Sequence, residues 1–305
     1  MAVMNGRSQV FVNNGPYATT NGHITVPHVT VQNVLVRINF ARIVIVITLL
    51  PFCGLLVCLF SCMLFQFEQV TITFCPVTNY LPSISAVTGV RPQTHLWRLC
   101  IALHCTPRFL IALLYRATFK QNLDRLHPSG PFWSWYSKII TVDFAFSVVE
   151  NISLLMVSVV SSPDNYPVHE KCFITFLITS IGHMIMCCYL YPNLFFQPFL
   201  SECERTKSLL WKRRILSLVF MLAAGMAIFF FRHRRYCAPG AFSYFAFCEY
   251  WLAILNMGFH ATSCWDFVGK ELVIAGWPKD ELVVNGKSYE YALQLSKSNS
   301  DKASE

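Results

Sequence analysis

The sequence predicts an all-α, polytopic membrane protein with about six transmembrane helices. Of its 305 residues, 54% are hydrophobic and only 13% are charged, whereas a soluble domain carries about a quarter charged residues. The deficit of charge extends along most of the chain, so no large soluble domain is expected. The formal net charge of +8 is divided among segments between apolar spans rather than gathered on one face. This distribution is typical of topology-setting loops and excludes a nucleic acid partner.

Three regions are predicted along the chain. Residues 1–36 are polar, with many Asn, Gly and Thr, and form a flexible cytosolic tail. Residues 37–270 form the transmembrane domain, and residues 271–305 form a second cytosolic tail. A membrane helix needs about 20 mainly apolar residues. The predicted spans are 40–67, 96–115, 133–161, 172–191, 215–231 and 241–264.

The basic residues predict the orientation. If there are six spans, sixteen Lys and Arg lie in the segments on the side of the two termini, and five lie in the loops on the other side. Loops rich in Lys and Arg stay in the cytosol. Both termini are therefore expected in the cytosol, and the loop that follows the first span is expected in the lumen or outside the cell.

The lumenal loops contain two features of interest. Most of the thirteen cysteines lie within spans and are expected to be packing residues. Cys75 and Cys237 instead fall in lumenal loops, where disulfides are permitted, and they are predicted to form a bridge. Arg232, Arg234 and Arg235 crowd one short lumenal turn. They either reach lipid phosphates at the interface or clamp a phosphate-bearing ligand, because the guanidinium fork suits phosphate.

Ionisable side chains also occur at membrane depth, where they are costly and usually mark a functional site in the bundle interior. With a rise of about 1.5 Å per residue, His104, Glu150, His183 and Glu249 all fall on the order of 12–17 Å below the lumenal edge. Three explanations remain open. The groups pair with one another to set helix register, as Arg108 with Glu150 would; a His–Glu pair performs acid–base catalysis; or the layer conducts ions or protons. No spacing of ligands within a helix supports a metal site.

Several separated motifs resemble the post-GPI attachment to proteins factor 2 family. They include CPVTNYLPSIS at 75–85, WRLCIALHCTPRFL at 97–110, Glu150-Asn151, Ser180-Ile-Gly-His183 and Asn256-Met-Gly-Phe-His260. The resemblance extends over roughly residues 35–275. It implies a multi-pass protein of the Golgi membrane, and also of the endoplasmic reticulum, that acts at the step in which lyso-GPI is reacylated with a saturated chain, either as the acyltransferase or as a subunit that assists it. Its implied partners are membrane lipid and GPI-anchored proteins, whose stable surface display it supports.

Combined with this resemblance, the buried residues become candidates for specific roles. His104, Glu150, His183 and Glu249 are candidate catalytic residues around the glycerol and acyl region. The candidate substrate-binding residues are Arg98, Arg108, Arg232, Arg234, Arg235, Asn256 and His260. The sequence identifies no cofactor, and the acyl donor and the oligomeric state stay open. One alternative is a non-catalytic lipid-binding or escort protein, and a weaker one is a zinc-dependent intramembrane lipid hydrolase.

Overall fold

A computed structural model describes residues 34–197 and 200–275, together with the short segments 9–11, 18–20, 23–25, 28–30, 283–284 and 287–288. The chain divides into two compact units, residues 40–270 and residues 1–39 with 271–305. Most of the predicted N-terminal tail lies outside the described residues. The all-helical membrane fold expected from the composition is confirmed by residues 40–270, whereas the cytosolic location of the two tails stays a prediction.

The larger unit is built from helices. They are α1 (Phe40–Phe65), α2 (Phe67–Thr71), α3 (Ile84–Gly89), α4 (Gln93–Leu126), α5 (Pro131–Val159), α6 (Tyr166–Leu194), α7 (Glu202–Tyr236), α8 (Ala241–Ala261) and α9 (Ser263–Asp266). Five of these, α1, α4, α5, α6 and α7, are long and apolar enough to cross a membrane. The sixth predicted span corresponds to α8, which has 21 residues and includes polar side chains that reduce its hydropathy. Six crossings therefore remain a prediction.

The six longer helices surround a common interior. Each helix from α5 to α8 packs against the helix before it, α4 packs against α1, and α8 returns to α1. We call the end of this bundle that carries Cys75 and Cys237 the disulfide end, and the opposite end the terminal end. At the terminal end the Phe40 amide donates to the Lys270 carbonyl over 3.1 Å, so the first and last residues of the bundle meet.

The disulfide end contains the two short helices α2 and α3. Ser83 caps α3 by accepting a hydrogen bond from the Ala86 amide. The structure places a disulfide between Cys75 and Cys237, with Cα atoms 5.4 Å apart. The sequence analysis placed Arg232, Arg234 and Arg235 in a short turn between two spans, but these arginines belong to the last turns of α7. Because α7 continues to Tyr236, its charged end extends beyond the apolar stretch from which the span was predicted.

The terminal end has an aromatic and ionic interior. Tyr191, Phe119, Phe195 and Phe267 are among the largest fully buried side chains. Beside them the Lys212 Nζ atom donates to Asp266 Oδ2 over 2.5 Å and to Ser208 Oγ over 2.9 Å. Lys212 belongs to the segment 192–214, which the sequence analysis counted as a loop between two spans. This was wrong because a capping box at Ser201 starts α7 at Glu202, which carries Lys212 into the bundle.

The smaller unit contains β-strands that the sequence did not predict. Strand β5 (Val34–Asn39) pairs antiparallel with β6 (Glu271–Ala275), and Arg37 forms an ion pair with Glu271 at 3.1 Å. The short strands β1 (Gln9–Phe11), β4 (His28–Thr30), β7 (Val283–Val284) and β8 (Lys287–Ser288) form one sheet, and β2 (Ala18–Thr20) pairs with β3 (His23–Thr25). The β-branched residues of β5 and β6 favour extended structure.

Candidate functional site

A buried polar cluster lies at the middle of the bundle, and an ion pair is at its centre. Arg108 Nη2 on α4 lies 2.8 Å from Glu150 Oε1 on α5 and 2.5 Å from His260 Nε2 on α8. The Glu150 side chain has 0% exposure, and a charge this deep requires a charged or hydrogen-bonded partner. We call Arg108, Glu150, His260, Asn256, Ser180 and His104 the Arg108 cluster.

Asn256 connects the ion pair to α6. Its Nδ2 donates to Glu150 Oε1 and to Ser180 Oγ, each over 2.7 Å. Asn256 and His260 are spaced i, i+4, which places both on one face of α8, and that face meets Glu150. The other Glu150 oxygen, Oε2, has no hydrogen-bond partner within the described part of the chain. Four helices therefore converge on one carboxylate.

His104 has a defined tautomer. Its Nδ1 lies 2.6 Å from the Ile47 carbonyl oxygen on α1. A carbonyl only accepts, so Nδ1 carries the proton and the lone pair of the neutral ring is on Nε2. That nitrogen lies 3.4 Å from Arg108 Nη1. His104 Nε2 is consequently the atom of this ring that is able to accept a proton.

His183 is oriented by a carboxylate that the sequence analysis did not select. Its Nδ1 lies 2.9 Å from Asp143 Oδ1, and its ring stacks on His260 with centroids 5.5 Å apart. This is a carboxylate–histidine pair of the kind that holds an imidazole in one orientation. Asp143 and Glu150 are the two acidic residues of the third predicted span. The sequence therefore indicated that each of them needs a buried partner, but not which one.

Glu150, His183 and His260 place ligand atoms within 4.8 Å of one another. Two histidines and a carboxylate are a donor set that is able to hold zinc. However, the Arg108 guanidinium contacts two of these three residues and already supplies positive charge to them. The donor set is therefore better explained as a partner of the Arg108 guanidinium than as a set of metal ligands.

A wide cavity of about 910 Å³ lies at the disulfide end. Its lining includes Arg234, Glu170 and His233, and Arg234 Nη1 lies 3.6 Å from Glu170 Oε1. His233 is buried, and its two ring nitrogens have no partner among the described residues. Phe74 and Phe245 form part of the same wall. This outer cavity therefore combines an apolar wall with a few polar groups.

A narrow second cavity of about 110 Å³ extends toward the Arg108 cluster. Its walls are mainly apolar, and His104, Ser180 and Asn256 are among its few polar lining residues. The residues that line both cavities are Ser85, His169, Phe173, Leu177 and Glu249. The two cavities therefore lie side by side across this shared wall, and the inner one reaches the buried cluster.

The structure divides the predicted catalytic layer into two levels. His104, Glu150 and His183 lie in or beside the Arg108 cluster, together with three predicted substrate-binding residues, Arg108, Asn256 and His260. Glu249 is held apart, because its Oε2 accepts a hydrogen bond of 2.8 Å from the Ile84 amide of α3. Glu249 precedes Asn256 by about two helical turns, and α3 folds back to meet it.

The arginines predicted to hold a phosphate also lie at separate places in the structure. Arg98 donates to Asp164 over 2.8 Å. The Ser161 hydroxyl, which is 2.6 Å from the same carboxylate, lowers the pKa of Asp164. Arg232 and Arg235 are exposed at the end of α7, whereas Arg234 lines the outer cavity. Only Arg234 of the described clamp candidates therefore lies where a ligand in either cavity would meet it.

Residues 39–270 match the model of the Frag1/DRAM/Sfk1/Cwh43P N-terminal domain. The chain is 38% identical over 244 residues to "Post-GPI attachment to proteins factor 2-like" of Drosophila melanogaster, covering 80% of this chain and 74% of that protein. It is 33% identical over 252 residues to "Acyltransferase PGAP2" of Xenopus tropicalis, covering 82% and 96%.

The chain belongs to the post-GPI attachment to proteins factor 2 family. A second relative of this family, "Post-GPI attachment to proteins factor 2" of Drosophila melanogaster, is 35% identical over 245 residues, covering 79% of this chain and 91% of the relative. The family expected from the sequence motifs is confirmed. No solved structure matches the chain significantly.

Proposed function

We propose that this chain acts in GPI-anchor maturation by remodelling the anchor lipid, and that the remodelling step is reacylation of lyso-GPI with a saturated chain. Membership of the post-GPI attachment to proteins factor 2 family supports the role in maturation, and one relative carries the name "Acyltransferase". Its clients are GPI-anchored proteins. The site of action is the Golgi membrane, with the endoplasmic reticulum as a second location.

One observation supports the reaction most directly, namely the pair of adjacent cavities, the inner of which is lined by His104. A lipid is amphipathic, and these cavities offer polar groups near their opening and apolar walls inside. Arg234 is placed to hold a lipid phosphate, because a guanidinium matches phosphate geometry. The inner cavity, at about 110 Å³, has room for the atoms around the reacting ester, while the rest of the acyl chain lies in the outer cavity and the surrounding bilayer.

His104 is proposed to act as the base. When the glycerol hydroxyl takes the place of the 3.4 Å contact with Arg108 Nη1, the Nε2 lone pair accepts its proton as the hydroxyl oxygen attacks the acyl carbonyl. The Ile47 carbonyl holds the other ring nitrogen, so the ring is already in the required tautomer. Arg108, Glu150 and Asn256 form the hydrogen-bonded support beside it, and the Asp143–His183 pair contacts the same support through His260.

The test replaces His104 with Ala in cells that lack this protein. A positioned acid–base group contributes about 10²–10⁴-fold to rate, so the variant should leave lyso-anchors unremodelled at normal protein abundance. The readout is the lipid composition of GPI anchors by mass spectrometry. His95→Ala is the matched control, because His95 is an exposed histidine on the same helix. Full remodelling by His104→Ala would contradict the proposal.

A non-catalytic lipid-binding or escort protein is the second candidate. The observation that favours it is that the positive charge of Arg108 balances the negative charge of Glu150. An ion pair of this kind is able to serve a purely structural role. Purified protein separates the two candidates. Turnover of lyso-GPI in the presence of an acyl donor supports the enzyme, whereas binding of lyso-GPI without turnover supports the escort. The zinc hydrolase alternative is disfavoured because the Arg108 guanidinium already contacts Glu150 and His260, two of the three candidate ligands.

A further inference from the structure

We propose that the acyl donor is a membrane glycerophospholipid that uses the same cavities as the acceptor, rather than acyl-CoA supplied through the terminal end of the bundle. This inference rests on the proposed reacylation function and names its second substrate. It is carried by three observations: the filled interior at the terminal end, the apolar surroundings of the outer cavity and the charges of its lining.

The interior between the Arg108 cluster and the terminal end is filled. Towards this end the buried residues are Tyr115 and Phe119 on α4, Tyr191 and Phe195 at the end of α6, and Phe267 just after α9. Tyr191 and Phe195 stack with centroids 4.5 Å apart, and Tyr115 packs edge-on against Phe267 at 4.9 Å. Close packing of this kind leaves no path for a chain.

The ion pair beside these aromatic rings is fully engaged. Lys212 donates to Asp266, to Ser208 and to Thr262. The second Asp266 oxygen accepts from the Tyr191 hydroxyl over 2.7 Å and from Ser208 over 2.6 Å. Opening a route here would leave a buried charge without partners, which costs several kcal/mol. An acyl donor that entered at the terminal end would therefore have to disrupt the Lys212–Asp266 pair and the aromatic packing beside it.

The outer cavity, by contrast, opens among exposed apolar side chains. Ile72 and Phe74 in its lining are 76% and 70% exposed, and Ile174 on α6 is 48% exposed. Exposed apolar side chains beside a binding cleft mark contact with lipid or a protein partner, and in a membrane-spanning bundle the contact is lipid. The cavity is thus accessible to molecules already dissolved in the bilayer.

The charges of the outer cavity suit a lipid phosphodiester and not a coenzyme. Its charged lining residues are Arg234, Glu170 and Glu249. One guanidinium is sufficient to pair with a single phosphodiester. Acyl-CoA carries several phosphate charges, and two carboxylates in the wall would repel them. Donor phospholipid and lyso-GPI acceptor both carry a phosphodiester beside glycerol, so the outer cavity, at about 910 Å³, suits the head regions of both lipids together.

The step balances without water or a redox partner. The ester bond between the acyl carbonyl and a glycerol oxygen of the phospholipid breaks, and a new ester forms with the free hydroxyl of lyso-GPI. The proton of that hydroxyl moves to His104 Nε2 and then to the departing glycerol oxygen. The products are remodelled GPI and one lysophospholipid.

The experiment uses the purified full chain in lipid nanodiscs with lyso-GPI. One arm contains phosphatidylcholine labelled in its sn-2 acyl chain, and the other contains labelled palmitoyl-CoA. We expect label to pass from phosphatidylcholine to GPI, with one lysophosphatidylcholine formed per GPI. Transfer from palmitoyl-CoA at an equal or higher rate would overturn the donor assignment. Transfer from neither donor, with lyso-GPI still bound, would overturn the reacylation function itself.

A pair of variants on α6 tests the path. Leu177 lines both cavities, whereas its neighbour Ile178 is 61% exposed and faces outward. Leu177→Trp should obstruct the shared wall and reduce transfer from phosphatidylcholine by about tenfold or more, because misplacing a reacting group is costly. Ile178→Trp should retain the wild-type rate. Equal rates in two folded variants would overturn the path.

A crosslinking measurement does not depend on these variants. Phosphatidylcholine with a photoreactive group on its acyl chain should label peptides that contain inner-cavity residues such as Trp97, Phe176 and Leu252. Excess unlabelled phosphatidylcholine should compete for this labelling. Labelling confined to outward-facing residues would contradict a phospholipid in the cavity.

Discussion

At the scale of single residues, the Arg108–Glu150 pair dominates the interior. Both side chains are almost fully buried, and the nitrogen-to-oxygen distance is 2.8 Å. Taking two charges out of water is costly, and their attraction offsets this cost only with close geometry and additional hydrogen bonds. Asn256 provides such a hydrogen bond to the same Glu150 oxygen, and His260 Nε2 lies 3.0 Å from that oxygen. Each member of the pair is therefore needed because the other is present.

Arg108→Met should reduce the free energy of unfolding by about 3–5 kcal/mol, because it leaves the Glu150 carboxylate buried and unpaired. Thermal unfolding of the purified protein in detergent measures the loss. Lys120→Met on the same helix is the control, since Lys120 is exposed, and it should change stability by less than about 0.5 kcal/mol.

The double variant Arg108→Met/Glu150→Leu separates structure from chemistry. Replacing a buried ion pair by apolar residues of similar volume is often neutral or stabilising, so this protein should regain most of its stability. If the cluster supports catalysis, remodelling stays lost despite normal folding. Recovery of remodelling together with stability would show that the pair only sets helix packing.

At the scale of elements, the contact between α5 and α6 depends on Gly182. A Cβ atom added there would lie 2.8 Å from Phe146 Cε2 on α5, closer than real contacts allow. The absence of a side chain lets the two backbones approach, as small residues do between membrane helices. The next residue is His183, whose partner Asp143 is also on α5. The close approach thus aligns the pair.

Gly182→Ala should move α6 away from α5 and destabilise the protein by about 1–3 kcal/mol, the usual range for overpacking. Gly225→Ala is the matched control, because its added Cβ would meet only Cys248 Sγ, at an ordinary 3.5 Å. That control should be neutral or slightly stabilising, since Ala favours helix over Gly. Equal unfolding midpoints for the two variants would contradict the close packing of α5 and α6.

At the scale of the whole molecule, the two ends of the bundle differ. The disulfide end contains the outer cavity and a wall shared with the inner one, while the terminal end is filled by aromatic rings and the Lys212–Asp266 pair. Because the two ends differ, the orientation of the bundle in the membrane is important for function. With the terminal end in the cytosol, as the basic loops predict, the cavities open toward the leaflet in which a GPI anchor resides.

The orientation and the number of crossings are tested together by glycosylation mapping. An Asn-x-Ser acceptor inserted between α5 and α6, near Asp164, should be glycosylated, whereas acceptors added at either terminus should not. This outcome requires six crossings, with α8 as the last one. If the acceptor at the C-terminus is glycosylated and the one at the N-terminus is not, the chain crosses the membrane five times, which contradicts the predicted topology.

The sequence by itself determined the class of the protein and its family. Apolar runs of membrane length and sparse charge are local properties of the chain, so they predict helices without knowledge of their partners. The structure joins Cys75 to Cys237, the two cysteines that the sequence analysis selected because it predicted both in lumenal loops. The i, i+4 spacing of Asn256 and His260 indicated one helix face. The strands β5 and β6 were missed because hydropathy carries little information about pairing between distant segments.

Only the tertiary structure decided which buried groups meet. Depth along a helix is readable from residue number, but rotation about the helix axis and the order of helices are not. Half a turn of α8 would remove Asn256 and His260 from Glu150. For the same reason the structure, and not the sequence, placed Asp143 against His183, Lys212 against Asp266 and Glu249 against α3. These contacts join residues on different elements, so their partners are defined only when the helices pack.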